Sequence, residues 1–203
     1  MHSPFRAESL FLPATQTQSL GERVEALHQQ VRRIAPAVTR LACALYEPTE
    51  DLLKTFVNST VDGPALNAYQ VRLADSPSLK ALADAQRCRV IPDLQQAGLH
   101  DTVHSRWLLE QGYRSSFTVP LFESDELLGF LFFDAREPDA FPDAVVAQLE
   151  VYAQLVALMI RHEVSAVRAL VGSMRVARDF AHLRDVETGC HLDRMSRYVR
   201  LIA

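Results

Sequence analysis

The stretch Ser116-Phe117-Thr118-Val119-Pro120-Leu121-Phe122-Glu123-Ser124-Asp125-Glu126-Leu127-Leu128-Gly129-Phe130-Leu131-Phe132-Phe133 decides the fold. Its first part alternates. Phe117, Val119 and Leu121 face one way and Ser116, Thr118 and Pro120 the other, the period-two pattern of a strand that runs from Arg114 to Phe122. Glu123-Ser124-Asp125 is a polar turn. Leu127 to Asp134 is then apolar almost throughout, around Gly129, as a central strand covered on both faces is. Two such runs joined by so short a turn make an antiparallel hairpin.

Upstream, Thr39 to Tyr46 and Leu53 to Ser59 flank the polar turn Glu47-Pro48-Thr49-Glu50-Asp51 and predict a second hairpin. Tyr69 to Leu73 predicts a third short strand, and Cys88 to Ile91 another that ends at Pro92. Ser76-Pro77 places a cap before a proline at the first helical position and opens a helix over Leu79 to Gln86. Asp101 is expected to cap a helix that runs to Gln111 and stops at Gly112. Ser19 and Glu22 have capping-box spacing at the start of another helix. Leu20, Val24, Leu27, Val31 and Ile34 follow at steps of four and three, until Pro36 ends the run.

Downstream of Pro142 there are no further prolines. Val145, Leu149, Tyr152, Val156 and Met159 recur at helical steps, and Ile160, Val164, Val167, Val171 and Met174 continue them. One helix from about Asp143 to about Arg184 is predicted, roughly 60 Å long. The resulting fold class is α+β: an antiparallel sheet with helices on both faces and a long C-terminal helix. The seams Val24, Leu27, Val31 and Ile160, Val164, Val167, Val171 predict a homodimer through the terminal helices. The alternative is that both helices cover the sheet of a monomer.

The 203 residues are 48% apolar and 23% charged, with net charge −4. That excludes a disordered or collagenous chain, and no basic field exists to collect nucleic acid. The longest unbroken apolar run, Leu155 to Ile160, falls short of the about 20 residues that span a bilayer, so no membrane partner is expected. Cys43, Cys88 and Cys190 are too few and too scattered for a disulfide framework, and a cytoplasmic location is expected. Cys43 and Cys88 both sit in apolar strand patterns, which predicts buried, unreactive thiols.

The segments Ser116-Phe117-Thr118-Val119-Pro120-Leu121 and Leu127-Leu128-Gly129-Phe130-Leu131-Phe132-Phe133, with Phe141 and the helix from Pro142, resemble the GAF family. The resemblance covers residues 19–162, after a flexible extension over 1–18. It implies a GAF-like sheet whose short helices enclose a small molecule, or a spacer that only dimerises. The Asn-Lys-Phe-Asp-Glu set of cyclic-nucleotide members is absent. Bilin-binding members use a Cys-His pair on a pocket helix, whereas Cys190-His191 lies far beyond the sheet, so chromophore attachment is not expected. Arg72, Arg106, Trp107, Tyr113 and Ser116 are the ligand candidates, since arginine pairs with phosphate or carboxylate and tryptophan stacks on rings. His100-Asp101 with His104 mimics a metal site, but Asp101 as a cap and two exposed histidines are the expectation.

Arg184-Asp185-x-Glu187-Thr188-Gly189-x-His191-x-x-Arg194-x-x-x-Tyr198 resembles the opening of the HD-GYP domain, a metal-dependent phosphodiesterase of cyclic di-GMP. On this reading 163–184 is a signalling helix and 185–203 the start of an incomplete HD-GYP domain. Glu187 and His191, four residues apart, share one face if helical. The resemblance makes them metal ligands in the intact parent, where iron or manganese is expected. The His-Asp doublet and Gly-Tyr-Pro segment of the family do not occur before Ala203, so no cofactor and no catalysis are expected of this stretch alone. The alternative is a hydrolase completed by ligand sharing between chains.

Overall fold

In the computed structural model, β5 (Ser115–Glu123) and β6 (Glu126–Ala135) form the anticipated hairpin, with Phe117 opposite Phe133 and Thr118 opposite Phe132. The structure describes residues 19–62, 70–98, 103–184 and 194–198. The second hairpin, β1 (Val38–Glu47) with β2 (Leu52–Thr60), joins β6 through β1. The short strands β3 (Gln70–Arg72) and β4 (Arg89–Ile91) finish the two edges. The sheet is antiparallel in the order β3-β2-β1-β6-β5-β4. Three residues of β3 pair, fewer than the expected Tyr69 to Leu73, because Leu73 turns into a 3₁₀ helix, Leu73–Asp75, and Tyr69 lies outside the described residues.

Gly129 is the residue the sheet cannot exchange. It pairs with Leu45 at a φ of +150°, and a Cβ there would fall on the Ala44 carbonyl and 2.9 Å from the Leu45 Cα. Both obstacles are backbone, so relief would require β1 and β6 to separate.

One face of the sheet carries α1 (Leu20–Ile34) and the start of α4 (Asp143–Arg184). The capping box at α1 forms: the Ser19 amide donates to Glu22 Oε2 at 2.7 Å, and the Glu22 amide to Ser19 Oγ at 3.3 Å. The α1 helix packs across β2 and β1. Val24 and Val31 are fully buried there, and His28 lies between them. This corrects the dimer seam: Val24 and Val31 face the chain's own sheet, which is where an amphipathic helix gains most, and Leu27 is half-buried. Leu149, Ala153 and Val156 are buried as well. Phe117 stacks on Phe133 at 5.8 Å and meets Phe141 at 6.3 Å.

The other face carries α2 (Pro77–Ala85) and α3 (Val103–Glu110). Leu79 of α2 packs with Leu53, Leu73, Phe130 and Phe132. Gln86 closes α2 in the left-handed conformation. Gly112, at φ +80°, closes α3 with the Tyr113 amide donating to the Leu108 carbonyl at 2.9 Å. The capping role expected of Asp101 lies outside the described residues.

The chain divides into two compact units, Met1–Leu158 and Met159–Ala203. In the second, Ile160 is buried, so it too drops out of the dimer seam, while Val164 is half-buried. Val167, Leu170, Val171 and Met174 are 60%, 62%, 41% and 64% exposed. Residues 194–198 are helical and exposed. Asp143–Phe180 holds an 18-residue window of mean hydropathy 1.5, long and apolar enough to cross a membrane by length and composition alone. That is more than the run of six apolar residues suggested, and 22% of that window is buried.

Gly129→Val should destabilise the chain by about 2 kcal/mol or more, since overpacking and forced backbone conformation each cost about 1–3 kcal/mol. Urea unfolding followed by far-ultraviolet circular dichroism measures this; an unchanged midpoint would contradict the close approach of β1 and β6.

Candidate functional site

The sheet register sets polar side chains in a row across the α2/α3 face. Ile91 on β4 is opposite Ser116 on β5, Ser116 is opposite Asp134 on β6, and Asp134 is opposite Arg40 on β1. Cross-strand partners point to the same face. The Arg40 guanidinium pairs with Asp134 Oδ2, both side chains being almost wholly buried (2% and 0% exposed). Ser116 donates to the other carboxylate oxygen at 2.7 Å. The next row holds Arg89, Thr118, Phe132 and Ala42. Thus Arg89 and Thr118 are neighbours on the same face as the ion pair.

Between these rows and the helices lies a cavity of about 50 Å³. Its floor includes Arg40, Ser116, Arg89 and Thr118, and its roof includes Ser76 and Leu79 from the start of α2 and His104, Ser105 and Leu108 from α3. Leu94 closes one side. The loop that carries Leu94 is held by Asp93, which accepts from Arg114 Nε at 3.1 Å and from an Arg114 terminal nitrogen at 2.7 Å. That bidentate pair, with further help from the Gln95 amide and Gln96, holds the Asp93 carboxyl below its usual range.

The electrostatics are one-sided. Two guanidinium groups line the cavity, and among the described residues no carboxylate lines it. Asp134, one step away on the sheet, neutralises Arg40. Burial lowers the pKa of Arg89, yet an arginine stays charged at neutral pH. The Nε atoms of both arginines are buried without a hydrogen-bond partner. His104 packs on Phe132 with ring centroids 5.2 Å apart. Burial, then the positive charges of Arg40 and Arg89, push its pKa down to about 3. It is therefore neutral at physiological pH.

Of the sequence-derived candidates, Ser116 lines the cavity. Trp107 lies under the Arg40 guanidinium, 5.3 Å from carbon to ring centroid, and packs with Tyr113 beside the cavity in a cluster of Ile91, Leu94 and Leu108. Arg72 and Arg106 do not belong to the site. Strand alternation turns Val71 to the cavity and leaves Arg72 62% exposed, 3.9 Å from Asp51. On α3, His104, Ser105 and Leu108 occupy the inward side and Arg106 is exposed. His104 is thus a wall residue, not the exposed histidine anticipated. His100 and Asp101 lie outside the described residues, as do Glu187 and His191. Among the described residues no group of three or more His, Cys, Asp or Glu could hold a metal.

The cysteines divide. Cys43 is buried, which pushes its thiol up to about 12. Cys88 is exposed, contrary to the apolar strand reading, because β4 begins only at Arg89. The residues missed in the sequence are Arg40, Arg89, His104 and Thr118. Arg40 had a usable signal: a charge at the inward period of a strand otherwise occupied by Ala42 and Ala44.

Residues 17–161 match the sequence model of the GAF domain. The chain belongs to the GAF domain family. Solved structures share the fold. The GAF domain/HD domain protein from Geobacter sulfurreducens superposes with a TM-score of 0.57 at 17% identity, over 72% of this chain and 95% of that one. A phycocyanobilin-bound GAF domain from a cyanobacterial phytochrome gives 0.56 at 20% identity, over 72% and 87%. The chromophore-binding domain of the bacteriophytochrome RpBphP3 from R. palustris gives 0.54 at 16% identity, over 76% of this chain and 58% of that one. This chain therefore spans little more than half of that last protein's length. No curated protein matches the sequence.

Asp134→Asn leaves a buried guanidinium without its counter-charge and should cost about 3–5 kcal/mol, more than the joint replacement Arg40→Met with Asp134→Leu. A double-mutant cycle in urea decides this; additive single-variant losses would show that the two side chains do not act as a pair. Acid should weaken the fold before carboxylates titrate. His28 donates through Nε2 to the Val38 carbonyl (3.2 Å) and accepts from Ser59 (2.8 Å), and burial lowers its pKa as it does that of His104. The unfolded chain binds protons on these imidazoles near 6.5, whereas in the folded chain both pKa values are lowered, that of His104 to about 3. The stability they confer is complete above 6.5 and is lost as pH falls toward the folded values. The urea midpoint should drop between pH 7.5 and pH 5; a flat profile over that range would exclude neutral buried histidines.

Proposed function

We propose that this chain is the sensory and transmitting part of a cyclic di-GMP phosphodiesterase of the HD-GYP type. The observation that carries the reading is an order of parts. A GAF domain over 17–161 runs into one helix, Asp143–Arg184, and the Arg184-Asp185-x-Glu187-Thr188-Gly189-x-His191 pattern follows from Arg184 in the sequence. The Geobacter sulfurreducens relative by fold, named as a GAF domain/HD domain protein, supports the pairing of the two parts.

On this reading the cavity between sheet and short helices receives a small molecule, and α4 passes the change on. The exposed apolar residues Val167, Leu170 and Met174 recur at steps of three and four, with exposed Val171 beside them, which suits pairing with α4 of a second copy in a parallel coiled coil. The dimer seam thus lies in the later turns of α4, not in α1. A twist or register change in such a pair reaches a downstream catalytic domain through the helix itself.

Glu187 and His191 would hold iron or manganese in the complete enzyme. They do not make a hydrolytic centre by themselves: a carboxylate and an imidazole leave most of a metal's coordination sphere to other donors.

Two measurements test the reading. Val167→Asp with Val171→Asp should convert a dimer to monomer in sedimentation equilibrium without changing the circular dichroism of the domain; a double variant that sediments like the parent would exclude this seam. The 203-residue chain with added iron or manganese should release no pGpG from cyclic di-GMP. Metal-dependent release of pGpG would overturn the assignment and favour ligand sharing between chains.

A further inference from the structure

We propose that the cavity is a receptor for a small planar monoanion, a carboxylate or an oxyanion of that shape, bound between the guanidinium of Arg89 and the hydroxyl of Thr118. The inference rests on the reading of this domain as a sensor and adds the chemistry of what it senses.

Three observations converge. The first is charge. Arg40 has its carboxylate in Asp134, but Arg89 has no ion pair among the described residues and no acid lines the cavity beside it. Among the described residues one positive charge is left over at the cavity, where burial lowers the pKa of Arg89 and an anion is correspondingly favoured.

The second is donor placement. The Nε–H groups of Arg89 and Arg40 are both buried without acceptors. Arg40 is almost wholly buried and lines the cavity. Thr118 is opposite Arg89 in the register, so its hydroxyl and the guanidinium edge lie on the same face of the sheet. Hydroxyls of Ser76 and Ser78 at the start of α2 complete a donor-rich lining. A planar guanidinium matches the two oxygens of a planar anion side by side.

The third is size. A volume of about 50 Å³ is a few times the about 10–15 Å³ that holds one water. It admits an anion of a few heavy atoms and excludes a nucleotide or a tetrapyrrole. A single surplus guanidinium matches one negative charge better than two.

The chain carries a natural reporter. Its one tryptophan, Trp107, stacks on Arg40 at the edge of the cavity. The experiment is a fluorescence titration of the full chain with sodium formate, acetate, nitrate and sulfate at constant ionic strength, repeated by calorimetry. The expected result is a saturable change with at least one of the planar monoanions, at least tenfold weaker in Arg89→Gln and unchanged in Arg106→Gln. Acetate or formate saturating while nitrate does not marks a carboxylate ligand; the reverse marks an inorganic oxyanion. Responses that fail to saturate, or that are equal in Arg89→Gln, overturn the proposal. So does a preference for sulfate.

Should Arg89→Gln fail to fold, the Arg89 Nε–H resonance of the parent chain serves instead. It should move on saturation with the same anion, and an unmoved signal counts against the site. These outcomes are separate from the phosphodiesterase reading. Anion binding with no effect on the intact enzyme's turnover would sink the regulatory assignment and leave the receptor standing.

Discussion

A guanidinium and a carboxylate sealed between a sheet and its covering helices constrain everything around them. Taking Arg40 and Asp134 out of water costs several kcal/mol for each ion, recovered only if their geometry is good and their remaining donors and acceptors are served. The sheet meets that demand by register. Because Ser116, Asp134 and Arg40 are cross-strand partners in one row, the carboxylate receives a hydroxyl on one oxygen and the guanidinium on the other. The face that bears this row cannot close as a plain apolar core. It carries a small chamber instead, largely apolar in its lining but with Arg40, Arg89, Ser116 and Thr118 on its floor, roofed by α2 and α3 and edged by the loop that Asp93 ties to Arg114.

The opposite face has no such burden and packs conventionally. Val24, Val31, Phe117, Phe133, Leu149 and Val156 are all buried there. The α4 helix belongs to this face at its start and carries exposed apolar residues in its later turns.

Much of the architecture was legible because its signals are local. The alternation from Ser116 to Leu121, the apolar run around Gly129, the Ser19 and Glu22 box and the proline-free stretch after Pro142 each fix an element from its own residues. The site was less so. Arg72 and Arg106 carry the right chemistry, yet a one-residue difference in strand parity and a rotation on α3 turn them outward. Arg40 and Arg89 contact the cavity only because β1, β6, β5 and β4 are neighbours in an order that no local pattern encodes. The α1 seam misled for a related reason: a heptad stripe marks a buried face without saying whether a sheet or a second chain buries it, and here it is the sheet.

The chamber is positively charged because Arg89, one of its two arginines, has no ion pair among the described residues. Anomalous diffraction from crystals soaked in sodium bromide examines that directly. A bromide peak in the chamber beside Arg89 and Thr118, lost in Arg89→Gln crystals, is the result the account requires. Bromide confined to exposed arginines such as Arg72 and Arg106, with none in the chamber, would contradict it.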